Sequence, residues 1–190
     1  MQTTAQKREL AERQEKGLSV KSILIVAVLI AAGAVLKIFS NTIFSFTPLK
    51  PNMVIAMYCL AIMLLRPKVV EAAIIGLISG IICMFLPGAT PYANIVSELV
   101  GAVVICLLAK LPYRLEVKGL SFKAAIDTFL ATLCSGYTFF LMLKVLILTG
   151  MELSGMAIDV FTAVIFGTAA INSVIAFLLY PVLKKVLVRE

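Results

Sequence analysis

Histidine and tryptophan are absent from this 190-residue chain, and only 10 residues are acidic. Without histidine there is no imidazole to act as general base, metal ligand or partner of a serine or cysteine nucleophile. Charged residues make up 14%, against about 25% in an ordinary soluble domain. The four cysteines, Cys59, Cys83, Cys106 and Cys134, stand singly in apolar runs with no C-x-x-C spacing. That pattern argues against a zinc site or a dithiol redox centre and reads as small buried hydrophobes. No Gly-x-x-x-x-Gly-Lys-Ser/Thr loop occurs, so nucleotide hydrolysis has no cradle in this chain. Neither a metal nor a cofactor is expected. What is abundant is apolar surface: 62% of residues are hydrophobic and the mean hydropathy is +1.08. A single aqueous core cannot hide that much, which excludes disorder, a coiled coil or a secreted disulfide scaffold and calls for lipid.

The apolar residues fall into six runs. Residues 1–19 form a polar tail in which Lys7, Arg8, Arg13 and Lys16 alternate with Glu9, Glu12 and Glu15. The run after it is too long for a signal peptide and long enough to span, because about 20 helical residues cross a bilayer core. Spans are expected near 20–39, 52–65, 69–86, 93–111, 123–149 and 154–181, with Pro- or Gly-bearing loops between them. The second is short and needs support from its neighbours; Gly136 gives the long fifth a place to bend. The expected fold is therefore an all-α integral membrane protein, a bundle of six transmembrane helices over residues 20–188. Placing both termini in the cytosol puts fourteen of the 17 basic residues on that side. The three left over are Lys37, Lys50 and Lys144, so the positive-inside rule selects this orientation.

Ionisable groups inside a span are costly and mark function. Lys37 and Lys144 are such groups, and two readings stay open for them: ligand contact, or snorkelling to outer headgroups. Lys50 stands in the first outer loop. Asn94 and Glu98, one helical turn apart, occupy the outer part of the fourth span, and Glu152 and Asp159 flank the start of the sixth. Tyr92 and Tyr137 offer faces on which a planar ligand can stack. Asp127, beside Lys123, reads as a first-turn helix charge, and Asn172 as either an interhelical hydrogen bond or a ligand contact. Leu86-Pro87-Gly88-Ala89-Thr90-Pro91-Tyr92 forms a tight outer loop leading into Asn94, a helix start whose free amides suit a carboxylate. Gly76 and Gly80, one turn apart, read as close internal packing. Ala27 and Ala31 share one face of the first helix, where a partner surface and internal packing are both open. For an enzyme, Glu98 with Asp159 is the one plausible carboxylate pair. A self-sufficient secondary carrier or channel, working as an oligomer, is a third class, though the halves show no matched interrupted repeats.

The segments Thr47-Pro48-Leu49-Lys50-Pro51-Asn52-Met53, Phe85-Leu86-Pro87-Gly88, Pro91-Tyr92-Ala93-Asn94, Ala170-Ile171-Asn172 and Leu179-Tyr180-Pro181 carry a resemblance. Together with the small-residue pattern of the first helix, they resemble the S components of energy-coupling factor (ECF) vitamin transporters of bacterial cell membranes, and most of all the tryptophan-type S components. The resemblance spans most of residues 20–188 and departs from the tryptophan-type pattern at Asn52 and Glu98. It implies a multi-pass subunit that captures a small organic micronutrient, a vitamin or a tryptophan-like solute, on the outer face. Release inside then follows docking on a coupling transmembrane subunit with two ATPase subunits. By position, Ala27 and Ala31 would face the coupling subunit. Lys50, Asn52, Tyr92, Asn94, Glu98, Tyr137, Lys144 and Asp159 would contribute to the pocket.

Overall fold

The computed structural model describes residues 17–46, 50–87, 90, 92–113, 115–117, 120–151 and 157–187. Among these residues the chain forms six helices: α1 (Val20–Ile43), α2 (Val54–Leu65), α3 (Val69–Met84), α4 (Ala93–Lys110), α5 (Phe122–Leu148) and α6 (Ile158–Leu187). Four of them, α1, α4, α5 and α6, are long and apolar enough to cross a membrane. The other two hold 12 and 16 residues, about 18 and 24 Å at 1.5 Å per residue.

Local chemistry sets several helix ends. Ser19 Oγ accepts from the Ser22 amide at 3.2 Å and starts α1. At α3 the Glu71 carboxylate reaches back to accept from the Lys68 amide at 2.8 Å, satisfying a donor that the first turn leaves open. Asp159 in the first turn of α6 and Lys184 and Lys185 in its last suit the helix dipole at each end.

The short α2 is the hub of the bundle. Each residue from Val54 to Met63 is 5% exposed or less, and α2 packs against all five of the other helices. Its lack of any polar face follows directly, since protein covers it on every side. The outer helices are instead only partly buried and present Val28, Val35, Phe39, Leu141 and Val174, among others, to the surroundings. In a membrane those side chains meet acyl tails.

Glycine sets the closest approach, that of α3 to α4. A methyl group on Gly76 would sit 2.6 Å from the Glu98 carbonyl oxygen and 2.8 Å from Leu99 Cα, and one on Gly80 would sit 2.7 Å from Ile95 Cα. The contacts are with backbone, which cannot swing aside, so this small-residue pair serves internal packing as its spacing suggested. It also fixes the depth at which α4 holds Asn94 and Glu98. Gly76→Ala should therefore lower stability by about 1–3 kcal/mol, the usual cost of overpacking. A thermal melt of the detergent-solubilised protein checks this; an unchanged midpoint would mean that the two helices are not in fixed register.

The structure corrects several boundaries. α1 runs on to Ile43 rather than stopping at 39, and α6 continues through Pro181 to Leu187. Gly136, expected to permit a bend, packs against α6: its added methyl would be 2.8 Å from Ile165 Cγ2. The fold is not wholly helical, because Glu116–Val117 (β1) pairs antiparallel with Leu120–Ser121 (β2) between α4 and α5. Asp127 is more than a first-turn charge: it is fully buried and ion-paired with Lys123 at 2.8 Å. The tail over 1–16, Thr47-Pro48-Leu49, Gly88, Pro91, Arg114, Lys118, Glu152 and Arg189 lie outside the described residues.

Candidate functional site

Successive helices run antiparallel. Gly33 packs on Val54 and Met57, Gly80 on Ile95, and Gly136 on Ile165. The C-termini of α1 and α3 thus share one end of the bundle with the N-termini of α2 and α4. At that end a cavity of about 180 Å³ descends between α1, α2, α4, α5 and α6. Its mouth carries Asn41, Lys50 and Pro87, and its deeper wall Glu98, Ser135 and Thr168.

Each wall has a regular helical origin. α5 contributes Thr132, Ser135, Gly136 and Phe139, and α6 contributes Phe161, Val164, Ile165 and Thr168. Both sets follow i, i+3, i+4, i+7, one stripe of a helix. α4 adds Asn94, Ser97 and Glu98, and α1 adds Lys37 and Asn41. The aromatic side is formed by Phe139 and Phe161, whose rings are nearly parallel at 12° with centroids 6.2 Å apart.

The polar groups form a connected set. Asn52 Nδ2 donates to Glu98 Oε1, and Asn172 Nδ2 donates to the Asn52 carbonyl at 3.1 Å. Asn172 therefore acts as an interhelical tie, and at 3.4 Å from Thr132 Oγ1 it also reaches α5. Asn94 Nδ2 donates to the Thr90 carbonyl at 3.0 Å, pinning the loop before α4. Tyr92, the residue preceding α4, has φ +67°, a left-handed backbone that is uncommon without glycine. Asn41 Nδ2 donates to the Pro87 carbonyl at 3.2 Å, joining the ends of α1 and α3.

A basic and an acidic side chain share this setting. Lys37 is 5% exposed and Glu98 1% exposed, and the lysine is close enough to act electrostatically on the carboxylate. The Tyr58 and Ser135 hydroxyls stand beside Glu98. Nevertheless Glu98 Oε2 is buried without a hydrogen bond, and so is the Tyr58 hydroxyl. A buried carboxylate oxygen without a partner is costly.

Of the residues singled out from sequence, Lys50, Asn52, Asn94 and Glu98 line this cavity together, with Lys37 beside them. Tyr92, Tyr137, Lys144 and Asp159 do not. Tyr92 is 58% exposed and Tyr137 41%. Lys144 lies over the Phe140 ring at 5.2 Å, and Asp159 is exposed at the start of α6. Glu98 and Asp159 accordingly do not form the carboxylate pair that an enzyme would need. Among the described residues no cluster of three metal-ligating side chains occurs. Ala27 and Ala31 are both exposed on α1, away from the cavity. The residues sequence reasoning passed over include Asn41, Ser97, Thr132, Ser135, Phe139, Phe161 and Thr168; for those on α5 and α6 the signal was the i, i+3, i+4, i+7 spacing.

Comparison with known proteins adds the family. The chain is 29% identical over 182 residues to a probable tryptophan transport protein of Bacillus subtilis (strain 168), covering 91% of this chain and 96% of that protein. No solved structure matches it. Its long apolar helices and this kinship make it a multi-pass membrane protein of bacteria with a role in transport. The kinship also agrees with the tryptophan-type resemblance carried by the loop and helix motifs. Residues 19–188 match the tryptophan transporter TrpP, and the chain belongs to that family.

Proposed function

We propose that the chain is the solute-capturing S component of an ATP-driven ECF-type importer and that its cavity takes tryptophan or a close relative. The observation that carries this reading is the burial of Lys37 and Glu98, opposite in charge, on the walls of one small cavity. An amino acid zwitterion has the matching pair. Its ammonium can donate to the open Glu98 Oε2, and its carboxylate can sit toward Lys37 and Lys50. Such charge-assisted bonds are about twice as strong as neutral ones. Phe139 and Phe161 then offer a planar apolar slot for an indole ring.

In this reading all six helices lie in the bilayer with both termini in the cytosol, and the cavity opens outward. The end of the bundle opposite the cavity holds Arg66, Lys68, Lys110, Lys123, Lys184 and Lys185, as the positive-inside rule requires for a cytosolic face. α2, too short to span alone, is sheathed by its neighbours. Having no nucleotide-binding loop, the chain draws ATP hydrolysis from two partner ATPases, reached through a coupling transmembrane subunit on the Ala27 and Ala31 face.

The test is equilibrium binding of radiolabelled tryptophan to the purified chain, with competition by tryptamine, indole-3-propionate and leucine. Saturable binding is expected, weakened by loss of either the carboxylate or the ammonium. Equal competition by leucine would remove the indole slot. For coupling, uptake is measured in cells with and without the ATPase pair. ATP-independent uptake by the chain alone would instead favour a self-sufficient carrier.

A further inference from the structure

The other end of the bundle holds a second cavity, wider than the first at about 490 Å³. Four cations from four separate helix ends line it: Arg66 after α2, Lys110 closing α4, Lys123 in the first turn of α5, and Lys184 in the last turn of α6. Asp127 is the one carboxylate among the lining residues, and both its oxygens are engaged. Its Oδ1 accepts from the Tyr113 hydroxyl and its Oδ2 from Lys123 Nζ at 2.8 Å. Burial, and behind it the Asp127 carboxylate, pushes the Tyr113 phenol up to about 12, so it remains a donor there. The cavity is therefore strongly positive, and its own acid is already committed.

Helix dipoles account for only part of this. A cation at the C-terminus of α4 or α6 is favourable, but Lys123 sits at the wrong end of α5. Arg66 has φ +48°, a left-handed conformation at a position followed by Pro67. Glycine or asparagine caps a helix there at less strain, and a residue before proline is pushed toward extended backbone. An arginine at that position places a planar, bidentate donor at the rim.

We propose that this cavity binds the phosphodiester headgroup of an anionic phospholipid. The shared chemistry is a phosphate oxyanion, and the rim argues for a lipid as its source. Leu111 and Leu115 line the same cavity and are 48% and 46% exposed, an apolar edge that suits a glycerol backbone and acyl chains. The site also lies at the level where spanning helices end, and basic pockets between helices at that depth take lipid headgroups. Lys184 and Lys123 lie over the rings of Tyr180 and Tyr113, at 5.8 and 3.8 Å, so their stems are already packed.

The test is native mass spectrometry of the detergent-purified full chain incubated with dioleoyl phosphatidylglycerol or dioleoyl phosphatidylcholine. A parallel thermal melt includes millimolar inorganic phosphate. One retained phosphatidylglycerol per chain is expected, at least tenfold over phosphatidylcholine, and lost in Arg66→Gln/Lys110→Gln. Both positions are exposed and remote from the solute cavity. Equal retention of the two lipids overturns the proposal, as does undiminished phosphatidylglycerol retention in a folded double variant. Stabilisation by inorganic phosphate with none from phosphatidylglycerol would assign the site to a soluble anion and overturn the lipid source. Should the double variant fail to fold, the wild-type comparison of the two lipids decides alone.

Discussion

Replacing Glu98 with glutamine is expected to weaken tryptophan binding by about 30-fold or more, the largest effect of any single change in the cavity. The size follows from removing one partner of a buried charge pair, which costs about 2–5 kcal/mol, with tenfold in affinity for each 1.4 kcal/mol or so. Glutamine is nearly isosteric and can keep Oε1 as the acceptor for Asn52 Nδ2, so the polar tie to α6 through Asn172 survives. What changes is the position of the open Oε2: an amide NH2 there points donors at the incoming ammonium instead of accepting from it. Lys37→Met should act in the same direction through the carboxylate. Tyr92→Ala, at a side chain outside the cavity, should leave affinity within about twofold. Titration calorimetry on purified variants with matched size-exclusion profiles separates these outcomes. Wild-type affinity in Glu98→Gln would mean that the ammonium is held elsewhere.

The four long helices were legible because lipid imposes a simple rule: an apolar run of spanning length has to be a helix, since no water is present to satisfy its backbone. The same rule misleads at Pro181. In a soluble helix a proline marks the boundary, but a bundle in lipid tolerates one, and α6 runs six residues further, to Leu187. The burial of α2 was not legible either. A run apolar on all sides is equally consistent with protein or lipid around it, and only the assembled bundle shows that protein covers Val54 to Met63.

The charged half of the site was legible for an energetic reason. Lysine and glutamate are rare inside spans unless they serve a purpose, so Glu98 and Lys37 stand out in the sequence. Serine, threonine and phenylalanine are ordinary there, which is why Ser135, Thr132, Phe139 and Phe161 drew no notice. Their spacing held the information instead. Tyr137 shows the converse: it follows Gly136, which lines the cavity, but one residue turns a helix by 100°, and Tyr137 is 41% exposed and does not line it. Residue type found the chemistry, and helical phase was needed to decide which side chains share it.

Phase also isolates the face on which the second large effect is expected. Val20, Leu24, Ala27, Val28, Ala31 and Val35 are all exposed along one side of α1, and none lines the solute cavity. The two alanines form a shallow strip between larger neighbours, where another helix can approach closely in lipid. Ala31→Trp fills that strip. In the proposed importer it should leave tryptophan affinity in detergent within about twofold while uptake in cells falls to background, because the coupling subunit no longer seats. Ala27→Trp should behave alike. Acyl chains would accommodate the same indole without penalty, so normal uptake in both variants would return this face to lipid and place the coupling surface elsewhere. Reduced binding with reduced uptake would point instead to a distortion passed through Gly33, whose added methyl would already lie 2.9 Å from Val54 Cα. A binding assay and an uptake assay on the same two variants therefore resolve a docking surface, a lipid face and a packing defect from one another.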